Sequence, residues 1–127
     1  VFCSKPFRSH QLIGPIRGTL MEDPDYESDY CMALNGAALE PSPPFCYLNH
    51  SCHPNCALVE MDVEYADGTF VRPRLFLETL AEIAPGEQLT IDYNWPAEAA
   101  IPCRCGCADC RGWIVAADQR RLVQPDP

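Results

Sequence analysis

Asn49-His50-Ser51-Cys52-His53-Pro54-Asn55-Cys56 is the stretch on which the reading of this chain turns. It sets a carboxamide, an imidazole, a hydroxyl and a thiol side by side, then repeats carboxamide and thiol after a proline. A segment kept for packing would carry apolar side chains at a strand or helix period, and this one does not. Two further segments follow it in order: Gly86-Glu87-Gln88-Leu89-Thr90-Ile91-Asp92-Tyr93, then Cys103-Arg104-Cys105-Gly106-Cys107-Ala108-Asp109-Cys110-Arg111-Gly112. Cys103, Cys105 and Cys110 offer three thiolates within eight residues, where tetrahedral zinc takes four ligands of this soft type. The fourth must come from elsewhere in the chain.

A chain of 127 residues supports one hydrophobic core and hence one domain. Thirteen prolines and seven glycines argue for many short strands joined by turns rather than long helices, so the expected class is mostly β. No stretch approaches the ~20 apolar residues of a membrane span, and no membrane partner is expected. The formal charge of −9 disfavours direct nucleic-acid binding and favours a basic partner such as a Lys/Arg-rich tail. The chain starts at Val1 with no charged and apolar leader pattern. Nine cysteines, an odd number and partly clustered, fit metal ligation in a reducing, intracellular compartment better than a disulfide framework.

Along the chain, Val1-Phe2 reads as the tail of a strand, and Leu12–Leu20 as two strand pieces broken by Gly14-Pro15 and Gly18. Tyr30–Leu34 and Ala37–Leu39 flank Asn35-Gly36, a hairpin signal. Pro41, Pro43 and Pro44 predict an extended loop into Phe45–Cys52. Val59, Met61, Val63 and Tyr65 alternate with Glu60, Asp62 and Glu64, the period of a half-exposed strand. Asp67-Gly68 turns it, and Phe70–Leu80 returns with Pro73 marking an edge or bulge. Ala84-Pro85-Gly86 is a tight turn, Leu89–Tyr93 a final strand, and Ala116–Pro127 a short helical turn or frayed tail.

Taken together, the three motifs resemble the SET-domain protein lysine methyltransferases with a C-terminal zinc-binding post-SET segment. The resemblance implies a SET fold, small twisted sheets around a knot-like core, over residues 1–96. A zinc clip over 97–115 and a tail over 116–127 would follow. It implies S-adenosylmethionine as cofactor and, as partner, a protein substrate with an exposed lysine, in a histone or other basic tail. Tyr93 would be the catalytic tyrosine, and Tyr30 would line the lysine channel with Ile91 and Tyr93. Asn49, His50, Tyr47 and Trp113 would hold the cofactor, and Cys52 would complete the zinc site of Cys103, Cys105 and Cys110.

Such a site suits the chemistry. A lysine amine, with a reference pKa of ~10.4, must lose a proton before it attacks a methyl group, and the rest is alignment in a dry channel. The resemblance departs in three places. The family's glycine-rich cofactor loop stands before the strand matched by Val1-Phe2, so the expectation is that this chain begins after it. Cys46-Tyr47 replaces the usual Arg-Phe. Pro15-Ile16-Arg17-Gly18-Thr19 replaces Glu-Tyr-x-Gly-Glu. A silent SET-like module that binds a basic peptide is the alternative, and a Cys-His nucleophile pair at His50 and Cys52 lacks a third orienting group.

Overall fold

The apolar runs between prolines and glycines become ten short strands among the residues described by the computed structural model, 1–21, 23, 25, 26, 28, 31–34, 36–64 and 71–123. Strands β1 (Leu12–Pro15), β6 (Cys56–Glu64) and β7 (Val71–Thr79) form an antiparallel sheet of order β1-β7-β6. A second sheet of order β2-β4-β3 joins β2 (Gly18–Met21), β3 (Met32–Leu34) and β4 (Ala37–Pro41). β5 (Asn49–His50) runs parallel to β8 (Thr90–Ile91), and β9 (Ile101–Pro102) pairs with β10 (Trp113–Ile114). Ile16, Leu34, Leu39, Leu48, Leu75, Leu77, Ile83 and Ile91 build the core between the sheets, with Cys3 and Cys56 as buried thiols. Burial drives the Cys56 thiol up to about 11, so it packs as a small neutral apolar group.

Leu12–Leu20 does divide into two strands, and Ile16 between them is buried and donates its N–H to the Leu75 carbonyl at 2.8 Å. Gly18 faces Pro41 across β2–β4, where any Cβ would run into the Glu40 carbonyl, so only glycine fits. Pro41 thus differs from expectation: it closes β4 rather than opening a loop, in a terminal strand position that proline tolerates. The hairpin flanking Asn35-Gly36 is present as the β3–β4 pairing, with Gly36 at φ 80°. Asn35, Tyr30, Tyr65, Asp67, Gly68 and Phe70 lie outside the described residues.

The half-exposed strand is present as β6, and its start decides which face turns inward. Cys56 is fully buried and Leu58 packs on the core, so the inward side at the start of the strand is the one opposite Val59, Met61 and Val63. β1 reaches only as far as Phe76, so β6 and β7 continue past it as a two-stranded ribbon, and Met61 is 41% exposed. Alternation reports that two faces differ in polarity; which of them meets a third strand is set elsewhere in the chain. Pro73 sits in that outer ribbon, opposite Asp62, where β7 has a neighbour on one side alone, the edge position a missing N–H allows.

At Ala84-Pro85-Gly86 the Glu87 N–H closes onto the Ala84 carbonyl at 3.1 Å with Gly86 at φ 88°, a proline-glycine turn as expected. Asn55 then locks the returning chain. Its Nδ2 donates to the Gln88 carbonyl at 2.9 Å, its Oδ1 accepts the Thr90 N–H at 2.9 Å, and its own N–H reaches Thr90 Oγ1 at 3.2 Å. Asn55→Ala is expected to lower unfolding free energy by roughly 2 kcal/mol, because Thr90 N–H and Gln88 C=O lose their partner together. A denaturant midpoint equal to that of the wild type would contradict this.

Candidate active site and metal centre

Parallel pairing of β5 with β8 sets Asn49 beside Thr90 and His50 beside Ile91, and the Ser51 N–H continues the ladder to the Ile91 carbonyl at 3.0 Å. The final strand is shorter than Leu89–Tyr93 because the chain leaves the ladder after Ile91. The Tyr93 N–H goes to His50 Nδ1 at 3.0 Å, and the Tyr93 hydroxyl donates to the Leu48 carbonyl. His50 is 9% exposed, and burial lowers its pKa, a neutralising effect that Arg111 reinforces and Asp92 opposes. With Nδ1 accepting, the neutral ring carries its proton on Nε2, which lies 3.4 Å from Cys52 Sγ. His50 therefore bridges the tyrosine backbone to a thiol.

Ile91 and Tyr93 line a cavity of about 1060 Å³ with Leu48, Phe45, Met32, Tyr26 and Trp95. Its wall also contains Asp23, Glu60 and Asp92, and among the described residues no lysine or arginine lines it. The Tyr26 hydroxyl donates to Glu40 Oε2 at 2.9 Å, and that contact with a carboxylate raises the tyrosine pKa. The Trp95 ring lies 5.3 Å from the Tyr93 ring and the His50 ring 5.3 Å from it on tilted planes, so Tyr93 is held by aromatic contact as well as by hydrogen bonds.

The cysteine segment returns to this same place. Sulfurs of Cys52, Cys103, Cys105 and Cys110 all lie within 4.8 Å of one another, with Cys52 and Cys103 at 3.7 Å. A tetrahedron of sulfurs at a Zn–S distance of ~2.3 Å has edges of roughly 3.8 Å, so the group has the size to hold such an ion. Backbone N–H groups support it: Arg111 N–H points at Cys52 Sγ at 3.3 Å and Gly112 N–H at Cys110 Sγ at 3.5 Å. As thiols the set is unevenly poised. Burial pushes Cys52 up and Cys103 to about 12, whereas the Cys107 backbone N–H holds Cys105 at about 6. Cys107 Sγ contacts Cys105 Sγ at 3.4 Å but is outside the convergent quartet.

Of the residues assigned to the cofactor, His50 and Asn49 are neighbours on β5, the Asn49 Nδ2 donating to Gln88 Oε1 at 2.6 Å. Tyr47, just before them, is 61% exposed. Trp113 lines a second cavity with Arg111, Ala117, Asp118, Arg120 and Arg121, apart from the one lined by Tyr93. Tyr30 lies outside the described residues. His10 and His53 are on the surface, at 3.7 Å from Glu78 and 3.4 Å from Asp109.

A family model described as SET domain matches residues 1–94. This chain belongs to the SET domain family. The chain is similar to a Schizosaccharomyces pombe protein named histone-lysine N-methyltransferase, H3 lysine-4 specific. The two are 39% identical over 69 residues, 54% of this chain and 7% of that protein. It is likewise 39% identical over 85 residues to the Drosophila melanogaster histone-lysine N-methyltransferase ash1, covering 64% of this chain and 3% of the relative. It thus spans less than a tenth of the length of these relatives. Among solved structures, Kryptonite in complex with mCHG DNA and SAH superposes with a TM-score of 0.68 at 20% identity, over 89% of this chain and 26% of that one. That likeness carries the fold: a mostly β SET domain whose cysteine cluster has the geometry to hold a metal.

The sequence reading missed Trp95, Tyr26 and the Arg111–Asp92 pair. Trp95 stands two residues past Tyr93 but beyond the left-handed Asn94, at φ 54°, so no strand period pointed to it. Arg111 had no signal either, since an arginine beside a cysteine does not reveal a carboxylate nineteen residues earlier.

Proposed function

We propose that this SET domain transfers a methyl group from S-adenosylmethionine to the side-chain amine of a lysine in a basic protein tail such as that of a histone. The observation that carries the reading is the setting of Tyr93. Its hydroxyl proton is committed to the Leu48 carbonyl, so the phenolic oxygen offers only lone pairs to anything entering the cavity. Such an oxygen accepts from a lysine amine and from the polarised C–H groups of a sulfonium methyl. S-adenosylmethionine, when bound, supplies that methyl. The acid-lined wall favours a cationic side chain, and the apolar residues Leu48, Phe45 and Ile91 exclude water from the amine. By the resemblance Asn49, His50, Tyr47 and Trp113 would hold the cofactor, and Ile91 and Tyr93 would line the lysine channel together with Tyr30, which lies outside the described residues.

The sulfur quartet would hold one zinc ion. Four thiolates leave no open position, so the ion is structural and fastens the 97–115 clip onto the loop at Cys52. A histone substrate goes with action in the nucleus. The names of the relatives and the H3(1–15) peptide bound in a Kryptonite complex support a basic substrate. DNA is also present in that complex, whereas the charge of −9 argues against contact with DNA by this chain itself.

Calorimetric titration with S-adenosylmethionine tests the reading. Saturable binding that Asn49→Ala weakens supports it, and no binding to a folded, metal-loaded protein that still takes up an H3 peptide would favour a silent peptide-binding module. Ile91 sets a second expectation, since isoleucine carries no hydroxyl to hold a water against a methylated amine. Di- or trimethyl-lysine should form, and Ile91→Tyr should shift the product towards monomethyl-lysine. Mass spectrometry of products reads this directly, and strict monomethylation by both proteins would contradict it.

A further inference from the structure

Arg111 touches the sulfur cluster with its backbone and the segment carrying Tyr93 with its side chain. Its N–H meets Cys52 Sγ at 3.3 Å. Its guanidinium forks onto the Asp92 carboxylate, Nη1 to Oδ1 at 3.1 Å and Nη2 to Oδ2 at 2.7 Å, and Nη1 also donates to the Val115 carbonyl at 2.8 Å. The Arg111 side chain is 12% exposed, so its charge is held largely away from water by that one carboxylate.

What Asp92 does with the rest of its capacity makes the contact consequential. Asp92 Oδ1 accepts the Asn94 N–H at 2.9 Å, closing a turn in which Asn94 sits at φ 54°, the left-handed region. Asparagine tolerates that region, and here the Asp92 contact selects it. The turn brings the Tyr93 N–H onto His50 Nδ1 and the Trp95 ring against the Tyr93 ring. The Ala116 N–H fixes its far end by donating to the Trp95 carbonyl at 2.7 Å. Burial alone would raise the Asp92 pKa, and the Arg111 and Asn94 contacts outweigh it and hold the group below its ordinary value.

We infer that Arg111 is a positioning residue which, through Asp92, sets the turn at residues 92–94 and so couples the cysteine cluster to the placement of Tyr93. The inference rests on the role proposed for Tyr93. A lysine at this position keeps the charge but loses the fork that satisfies Asp92 and Val115 at once.

The test is Arg111→Lys in the whole protein, with Asp92→Asn as a second variant that leaves the cluster's own residues untouched. Both should retain one metal per chain. On an H3(1–15) peptide both should lose roughly tenfold or more in kcat, with KM for cofactor within about threefold in both and KM for peptide within about threefold in Arg111→Lys, since Asp92 also lines the acid wall. The double variant should be no slower than the slower single one, because the two act as a unit. A readout independent of catalysis is amide hydrogen exchange: Tyr93 N–H should exchange about tenfold faster in both variants. Acceleration confined to Ala116, or metal loss in parallel with activity in Arg111→Lys, would make Arg111 a brace of the clip alone and overturn the inference. A wild-type protein inactive on every lysine peptide, with faster Tyr93 exchange in the variants, would sink the methyl-transfer reading and leave the coupling standing.

Discussion

Tyr93→Phe is expected to lower methyl transfer by about two orders of magnitude, the loss typical of removing a positioned polar group from a reacting centre. Folding should change little. The ring keeps its contacts with His50 and Trp95, and the Tyr93 backbone N–H keeps His50 Nδ1. The variant loses the phenolic oxygen and leaves the Leu48 carbonyl without that donor, a cost of roughly 1 kcal/mol in stability. Steady-state kinetics on a lysine peptide, beside a thermal melt, separates the two effects. Near-wild-type turnover would make Tyr93 a packing residue and move the reacting centre elsewhere.

The second large effect concerns the metal. Purified protein should contain one zinc per chain by elemental analysis, and Cys105→Ser should abolish its retention. Three thiols would then remain, two of them driven up by burial, around a space sized for a cation. In small domains a structural zinc site contributes on the order of 10 kcal/mol to folding, and here the dependent part is the clip and whatever it fastens. Arg111, which contacts Cys52 through its N–H, should loosen and with it the turn at residues 92–94, and activity should fall at least as far as in Arg111→Lys. A fully folded, metal-free wild type would contradict this account, as would zinc retained by Cys105→Ser with unchanged stability. Tyr93→Phe serves as the control, since it should lose activity and keep zinc.

These two residues mark what was legible in the sequence. The cysteine cluster was readable because thiolates at short spacing have few other uses, and the resemblance named Cys52, 51 residues before Cys103, as the partner. The geometry brings those four sulfurs together. Short strands and turns were readable from glycine, proline and the period of two, down to the Ala84-Pro85-Gly86 turn. The β6 face was not, because alternation does not say where β1 ends. Trp113 illustrates a different limit. Its place after Cys110-Arg111-Gly112 marks it as a ring near the clip, yet which cavity it lines depends on how Ala117–Leu122 packs beside it, and no local pattern encodes that. Arg111 and Asp92 were illegible because an ion pair between distant segments leaves no periodic trace.

The most direct test of the central claim is tandem mass spectrometry of an H3 tail peptide incubated with the protein and isotope-labelled S-adenosylmethionine. The account predicts labelled methyl groups on a lysine side chain, formed by the wild type and nearly absent with Tyr93→Phe. Unlabelled peptide after exposure to cofactor-bound, zinc-loaded wild-type protein, across H3 and a panel of other lysine-containing basic tails, would contradict it.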